Sequence, residues 1–211
     1  SGRRRPPLIM GHEASGVIDE TGPRVSNWKV GDRVTFDSTI FRLDDWYTLR
    51  GMYNLSDERR VLGVAPEQYR QHGAFAEYVV VPQHILYRLP ENVSFEYAAM
   101  VEPFAVSAHA LNLTSMSYGD STLVVGTGLI GLCLVQLLRR SSAATIVAVD
   151  VNEERRSMAM QFGADLSIDA ADPDLGKAIN EVTDQRGVDC AFEVVGLSDT
   201  VALAIAHTRR G

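Results

Sequence analysis

Three side chains of this sequence have the types and positions that could bind a metal ion. His12 and Glu13 are adjacent and follow Gly11, and Glu102 stands directly before Pro103. Imidazole nitrogen and carboxylate oxygen are both common zinc ligands. In isolation a His-Glu pair is more often a surface pair, and Glu102 could simply be a carboxylate that a helix N-terminus stabilises. The pattern indicates a candidate metal site whose parts the fold must bring together.

A second candidate site is the glycine-rich stretch from Gly126 to Gly131, which has the pattern Gly-x-Gly-x-x-Gly. It follows an apolar segment typical of a strand and opens an apolar segment typical of a helix, the context in which this pattern binds a dinucleotide. Gly126 would permit the tight turn, Gly128 the approach of the pyrophosphate, and Gly131 close packing of helix on strand. The free N–H groups of the helix N-terminus would face the phosphates.

Asp150 ends the next predicted strand, where an acidic residue accepts hydrogen bonds from the adenosine ribose and repels a 2′-phosphate. We therefore expect NAD rather than NADP, although Arg155 could stack near the adenine or approach a phosphate. The alternative is that Asp150 only caps the helix that begins near Glu153. The candidate coenzyme-binding residues are Gly126, Thr127, Gly128, Leu129, Ile130, Gly131, Asp150, Arg155, Val194 and Gly196.

The elements that must position these residues fall into two parts. Short apolar runs broken by Gly, Pro and Asp, at 15–20, 32–36 and 76–81, predict a mostly β domain over residues 1–103. Residues 41–67 lack a clear period and indicate a lobe or functional loop. A short capped helix is expected at 94–100.

Residues 104–211 predict a second domain in which strands and helices alternate. This order is typical of a doubly wound parallel sheet, so the fold class is α/β. Strands are expected at 122–125, 145–150, 166–168 and 188–195, and helices at 129–139, 153–162, 174–184 and 198–208.

Composition excludes several classes of protein. The formal net charge of −7 disfavours nucleic acid and anionic membranes as partners. No apolar run approaches the roughly 20 residues that a membrane span needs. Only Cys133 and Cys190 occur, both in apolar stretches, which favours core thiols and a reducing compartment. We expect a cytoplasmic protein.

The run 11–25 (GHEASGVIDETGPRV) resembles the signature of zinc-containing alcohol dehydrogenases in the medium-chain dehydrogenase/reductase superfamily. The resemblance continues through 28–34, 73–78 and 89–96 to the glycine-rich loop. Residues 101–106 (VEPFAV) resemble the sorbitol-type polyol and threonine dehydrogenase branch.

This resemblance implies a GroES-like catalytic domain, a Rossmann NAD-binding domain, one catalytic zinc ion and a homo-oligomer, either dimer or tetramer. His12 would be a direct zinc ligand. Glu13 would be a ligand or a close carboxylate, and Glu102 a ligand or a partner reached through the bound water, so both are candidate catalytic residues. The implied reaction is hydride transfer to NAD from a secondary alcohol such as a polyol or sugar.

The sequence also departs from the family. We expect an internal segment of a longer enzyme, because the family's remaining zinc-ligand cysteine and proton relay would lie upstream and further sheet strands downstream. The four cysteines of a structural zinc fall at Arg42, Asp45, Thr48 and Ser56, so no structural zinc is expected. The strand at 188–195 should be an exposed edge that needs a partner. Two alternatives stay open: a zinc-free reductase, and a catalytically incomplete or non-catalytic nucleotide-binding relative.

Overall fold

The structure is a computed structural model, and residues 7–64, 70–141 and 143–211 are described. The chain divides into two compact units, the first ending at Glu102 and the second beginning at Pro103. The boundary expected from the sequence lies one residue later, after Pro103. The division falls within a helix, α2 (Val101–Asn112).

The first unit is built from short strands in two three-stranded sheets. One sheet has the order β1 (Ser15–Val17), β2 (Arg33–Phe36) and β6 (Leu86–Arg88), with antiparallel neighbours. The other joins β3 (Thr39–Ile40), β4 (Arg60–Leu62) and β5 (Arg70–Gln71). Strands predicted at 15–20 and 32–36 are confirmed as β1 and β2. A small core packs between the elements and contains Ile40, Leu62 and Ile85.

The strand predicted at 76–81 is wrong, since this segment carries no regular element. Its side chains do alternate: Val79 and Val81 pack on the small core, whereas Tyr78 and Val80 are 73% and 90% exposed. A strand also needs a hydrogen-bonded neighbour. Here a cavity of about 640 Å³ lies between this segment and residues 14–22. Alternation alone therefore gave the inward and outward faces but not the backbone pairing.

The lobe predicted at 41–67 contains two 3-10 turns, Thr48–Arg50 and Tyr53–Leu55, followed by β4; its residues 65–67 lie outside the described residues. A hydrogen-bond network centres on buried Asp45 and Ser56. The Ser56 hydroxyl donates to one Asp45 carboxylate oxygen. The Thr48 N–H donates to the other at 2.7 Å, and the Arg42 N–H donates to Ser56 Oγ at 3.1 Å. All four positions aligned with the family's structural cysteines thus contact one another through hydrogen bonds.

The second unit has the predicted alternation of strands and helices. The capped helix expected before it is α1 (Phe95–Ala99), whose cap Ser94 accepts from the Tyr97 N–H. The remaining elements are β7 (Ser121–Val125), α3 (Leu129–Arg140), β8 (Thr145–Asp150), α4 (Glu153–Gln161), β9 (Leu166–Asp169), α5 (Leu175–Val182), β10 (Cys190–Glu193) and α6 (Ser198–Ala206). Every strand and helix expected after residue 120 is confirmed, with bounds shifted by a few residues at most.

The strands of this unit form a parallel sheet in the order β10-β7-β8-β9, with helices on both faces. Val124, Ile146 and Ala148 pack with residues of α3 and α4. Their strand neighbours Leu123 and Val147 pack with residues of α5 and α6 on the opposite face. The doubly wound α/β fold class is therefore confirmed. Strand β10 lies at one edge of the sheet, as expected from the sequence. None of the described helices is long and apolar enough to cross a bilayer.

Candidate metal and coenzyme sites

The first unit brings His12, Glu13 and Glu102 together, although Glu102 is far away in sequence. One potential ligand atom from each residue lies within 4.8 Å of the other two. His12 Nε2 is 3.9 Å from Glu102 Oε1, and both side chains are partly exposed, at 34% and 24%. An imidazole nitrogen and two carboxylate oxygens at these separations suit one divalent cation such as Zn²⁺.

Three glycines position the backbone that carries His12. Gly11 has φ +100°, and a Cβ on Gly63 or Gly73 would lie 2.4 Å or 2.2 Å from the Gly11 carbonyl oxygen. The Ala74 N–H donates to that same oxygen at 2.9 Å, and the Phe75 N–H donates to Met10 O at 2.8 Å. Only residues without a side chain allow this approach of three backbones. Gly63 was not among the residues expected from the sequence, because the segments that it contacts lie far away in the chain.

A second set of contacts leads toward Glu102. The Ser15 hydroxyl donates to the Phe95 carbonyl at 2.7 Å, which joins β1 to the first residue of α1. Helix α1 is followed directly by α2, and Glu102 lies in the first turn of α2. Glu102 therefore lies at a helix N-terminus and also beside the other two metal-site candidates. A position at a helix N-terminus does not by itself explain why Glu102 lies so close to His12.

Burial raises the pKa of Glu102 above its ordinary value, because a charged carboxylate loses solvation there. His12 acts in the opposite direction, whereas the negative charges of Glu13 and Asp37 add to the rise. Asp37 was not among the sequence candidates. It directly follows β2, and its Oδ1 accepts the Thr39 N–H at 2.8 Å. The excess of carboxylates describes a place where a cation would be stabilised.

In the second unit the glycine-rich turn has the backbone geometry that its sequence predicts. Gly126 has φ +94°, and a Cβ there would meet the Val195 side chain at 2.5 Å. A Cβ on Gly131 would lie 2.0 Å from the Gly126 carbonyl oxygen, so helix α3 packs directly on the turn. Around Gly128 a Cβ would meet nothing within 4 Å, which leaves open space beside the backbone at the N-terminus of α3. Leu129 and Ile130 form the first turn of that helix.

The carboxyl ends of three strands place the other candidates at the same edge of the sheet. Val125 is the register partner of Val149 on one side and of Glu193 on the other. Gly126, Asp150 and Val194 therefore come next to one another along this edge. Because β7 has β8 on one side and β10 on the other, the order of strands reverses at β7, and open α/β sheets bind ligands at such a point.

The turn that contains Gly196 is held by Glu193. One oxygen of this carboxylate accepts the N–H groups of Val195 and Gly196, each at 2.8 Å, and the Thr200 hydroxyl at 2.7 Å. Gly196 has φ +86°, which favours glycine. Val194 is anchored through its N–H to Val125 O at 3.0 Å. The structure thus places both predicted residues beside the glycine-rich turn.

Asp150 is 7% exposed and lies at the end of β8. Its Oδ2 accepts the N–H of Thr127 at 2.7 Å and the hydroxyl of Thr127 at 3.2 Å, and its Oδ1 accepts the Asn152 N–H at 2.9 Å. Asn152, not Asp150, caps α4, by accepting from the Arg155 N–H. The alternative that Asp150 is merely a helix cap is wrong, because Asn152 stands two residues closer to the helix.

Two arginines follow in α4. Burial opposes ionisation of Asp150, yet hydrogen bonds from Asn152 and Thr127, together with the charge of Arg155, leave the pKa of Asp150 below its ordinary value. Arg156 is engaged elsewhere: it donates to the Asp150 carbonyl at 2.9 Å and pairs with Asp169 at 3.0 Å. Asp150 is thus ionised at neutral pH, and the positive charge of Arg155 favours this ionised form.

The comparisons with known proteins identify the family to which each part of the chain is similar. Residues 1–91 match the family model described as the alcohol dehydrogenase GroES-like domain. Residues 130–211 match the model described as zinc-binding dehydrogenase. The GroES-like part and the Rossmann-type part that the resemblance implied are confirmed.

Similar proteins include (R,R)-butanediol dehydrogenase of Bacillus subtilis, 38% identical over 96% of this chain and 56% of the relative, and sorbitol dehydrogenase of Arabidopsis thaliana, 35% identical over 97% and 56%. A crystal structure of a zinc-binding dehydrogenase of Sinorhizobium meliloti bound to NADP superposes with a TM-score of 0.88 at 30% identity, covering 98% of this chain and 59% of that one. The chain spans somewhat more than half the length of these relatives. It belongs to the zinc-dependent alcohol dehydrogenases of the medium-chain dehydrogenase/reductase superfamily.

Proposed function

We propose that this chain is the core of a zinc- and NAD-dependent dehydrogenase that oxidises a secondary hydroxyl of a polyol, sugar or related small alcohol. The observation that carries the proposal is the cluster of His12, Glu13 and Glu102, whose ligand atoms lie within 4.8 Å of one another. These three donors fit a zinc ion by type, since imidazole and carboxylate are the ligands that zinc accepts besides thiolate.

When bound, zinc supplies a Lewis acid for the alcohol oxygen, and NAD supplies the acceptor of the hydride. In this proposal His12, Glu13 and Glu102 hold the ion. One proton leaves the alcohol as the hydride passes to NAD, and we assign its first acceptor to one carboxylate oxygen of the pair Glu13 and Glu102 that does not hold the ion.

The coenzyme is assigned to the edge of the parallel sheet. The N-terminus of α3, with the open space beside Gly128, suits the pyrophosphate, since free N–H groups and the helix dipole face it. Asp150 accepts a ribose hydroxyl, and Arg155 lies on the adenosine side. Because Asp150 is ionised, it disfavours a 2′-phosphate, so we assign NAD even though a similar structure contains NADP.

The substrate class follows from the relatives. Butanediol and sorbitol dehydrogenases act, by their names, on small molecules with several hydroxyl groups. We assign a substrate of the same kind to this protein. A dimer or tetramer in the cytoplasm completes the proposal.

The test measures zinc content and NADH formation with the full-length protein and two histidine variants. A panel of butanediol, sorbitol and threonine is offered with NAD, with and without a chelator. We expect His12→Ala to lose most of its zinc and about 100-fold or more in rate, because even residues that only support a metal ligand change affinity or activity by about 10- to 100-fold. The matched control is His109→Ala, an exposed histidine near the end of α2, which should keep both.

Two results would contradict the proposal. Turnover that a chelator does not reduce would reject the role of zinc. Equal zinc content in His12→Ala and the unchanged protein, together with no turnover, would favour a non-catalytic nucleotide-binding protein of the same fold.

A further inference from the structure

Three hydrogen bonds hold the carboxylate of Asp150, the group that is assigned to the ribose. Thr127, the residue between the first two glycines of the turn, donates to Asp150 Oδ2 with both its backbone N–H, at 2.7 Å, and its hydroxyl, at 3.2 Å. Thr127 is fully buried, and Asp150 is nearly so. Because Thr127 is buried, its hydroxyl donates its hydrogen bond to Asp150 and not to solvent.

The hydrogen bonds can be counted against the capacity of the carboxylate. Each oxygen has two lone pairs, so an ionised Asp accepts about four hydrogen bonds. The two donors of Thr127 fill the capacity of Oδ2. The Asn152 N–H, at 2.9 Å, takes one of the two positions on Oδ1. One acceptor position therefore remains, and it is on Oδ1.

We propose that Thr127 is a specificity-determining residue for the coenzyme. Its hydroxyl fixes the Asp150 carboxylate with Oδ2 turned into the glycine-rich turn and only Oδ1 presented to the adenosine ribose. This inference rests on the proposed function, because it concerns how the assigned NAD site tells NAD from NADP.

The consequence for discrimination is geometric. A fixed carboxylate offers one acceptor to a ribose hydroxyl and cannot rotate away from a 2′-phosphate, so its negative charge weakens the binding of NADP.

Two arginines of α4 are the positive charges near this carboxylate. Arg156 is held by Asp169, at 3.0 Å, and by the Asp150 carbonyl, while the positive charge of Arg155 acts on Asp150. If the Asp150 carboxylate could turn, the charge of Arg155 would be free to favour the extra phosphate.

The experiment compares the dissociation constants of NAD and NADP, measured by calorimetry, in the full-length protein and three variants. Thr127→Val keeps the shape but removes the hydroxyl, and Thr127→Ser restores it. The matched control is Thr122→Val, which removes another fully buried hydroxyl, from the strand β7 that leads into the turn, where Thr122 donates to Thr145 O.

We expect Thr127→Val to bind NAD about three- to ten-fold more weakly, because the loss of one hydrogen bond lets the Asp150 carboxylate turn away from the ribose. NADP should bind no more weakly, because the turned carboxylate repels the 2′-phosphate less. The preference for NAD should shrink by the same factor. Thr127→Ser and Thr122→Val should keep the preference of the unchanged protein. A purely structural role would lower thermal stability without changing the ratio of the two constants.

The outcomes separate the two proposals. If the unchanged protein binds neither coenzyme, the proposed function fails, and the role of Thr127 fails with it. If the unchanged protein prefers NAD and Thr127→Val keeps the same ratio of constants, only the role of Thr127 is overturned.

Discussion

At the scale of single residues, Asp189 shows how completely one carboxylate can be held by its neighbours. It accepts the Ser121 N–H at 2.7 Å, the Ser121 hydroxyl at 2.8 Å and Arg209 Nε at 2.6 Å. The bond from the Ser121 backbone, followed by the bond from Arg209, lowers the pKa of Asp189 to about 2. Because Ser121 begins β7, Asp189 secures the start of the strand whose other end carries the glycine-rich turn.

This pKa predicts how stability depends on pH. A carboxylate with a lowered pKa stabilises the fold at pH values above its unfolded pKa, and that stabilisation is lost as pH falls toward the folded pKa. We expect Asp189→Asn to lower the free energy of unfolding at pH 7 by at most about 2 kcal/mol. About half of the difference should be gone by pH 3. Urea unfolding at several pH values measures both effects.

The matched control is Asp184→Asn. Asp184 also pairs with an arginine, Arg186, at 3.1 Å, but their side chains are 86% and 70% exposed. Such pairs contribute roughly 0–1 kcal/mol. A difference for Asp189→Asn that stays constant from pH 7 to pH 3 would contradict the assignment of its pKa.

At the scale of elements, the crossing of Gly11, Gly63 and Gly73 is what places His12. We expect Gly73→Ala to lower the free energy of unfolding by about 1–3 kcal/mol, because its Cβ would lie 2.2 Å from the Gly11 carbonyl oxygen and the backbones must separate. Zinc affinity should fall as well, since Gly11 directly precedes His12. Gly22→Ala is the matched control: a Cβ there meets nothing within 4 Å. Wild-type zinc affinity in Gly73→Ala would show that the crossing does not position the ligand.

The elements also show what could be predicted from sequence. Strands β7 to β10 and helices α3 to α6 were predictable, because buried apolar strands and amphipathic helices have distinct local patterns. The pairing of residues 76–81 was not, since alternation sets which side chains face the core but not which strand lies beside them. In the same way, local pattern gave the glycine-rich turn, whereas the contact of Gly63 with Gly11 depends on a crossing of distant segments.

At the scale of the whole molecule, the candidate metal ligands and the candidate coenzyme-binding residues lie in different compact units. The metal-site candidates lie in the unit that ends at Glu102, and the coenzyme candidates lie in the unit that begins at Pro103. The proximity of His12 to Glu102 could be foreseen only through the family resemblance, because no local pattern links residues so far apart. Thr127 was a coenzyme candidate from the sequence, but its proposed action on Asp150 could not be foreseen, since it depends on where one hydroxyl points.

This division predicts that each ligand protects a different set of amides from hydrogen exchange. A ligand at 100 times its dissociation constant stabilises the form that binds it by about 2.7 kcal/mol, so amides that exchange through opening of that site slow by up to about 100-fold. Zinc should slow Ala74 and Phe75, whose N–H groups bond to Gly11 O and Met10 O beside His12. NAD should slow Gly126 and Thr127, whose N–H groups bond to Val149 O and Asp150.

The variant His12→Ala separates the two effects within one measurement. It should abolish the protection by zinc at Ala74 and Phe75 and keep the protection by NAD at Gly126 and Thr127. This expectation follows because the variant removes a donor of the first unit and leaves every contact of the glycine-rich turn in place. Protection by zinc that persists in His12→Ala would mean that the ion binds elsewhere, and the assignment of His12, Glu13 and Glu102 would be wrong.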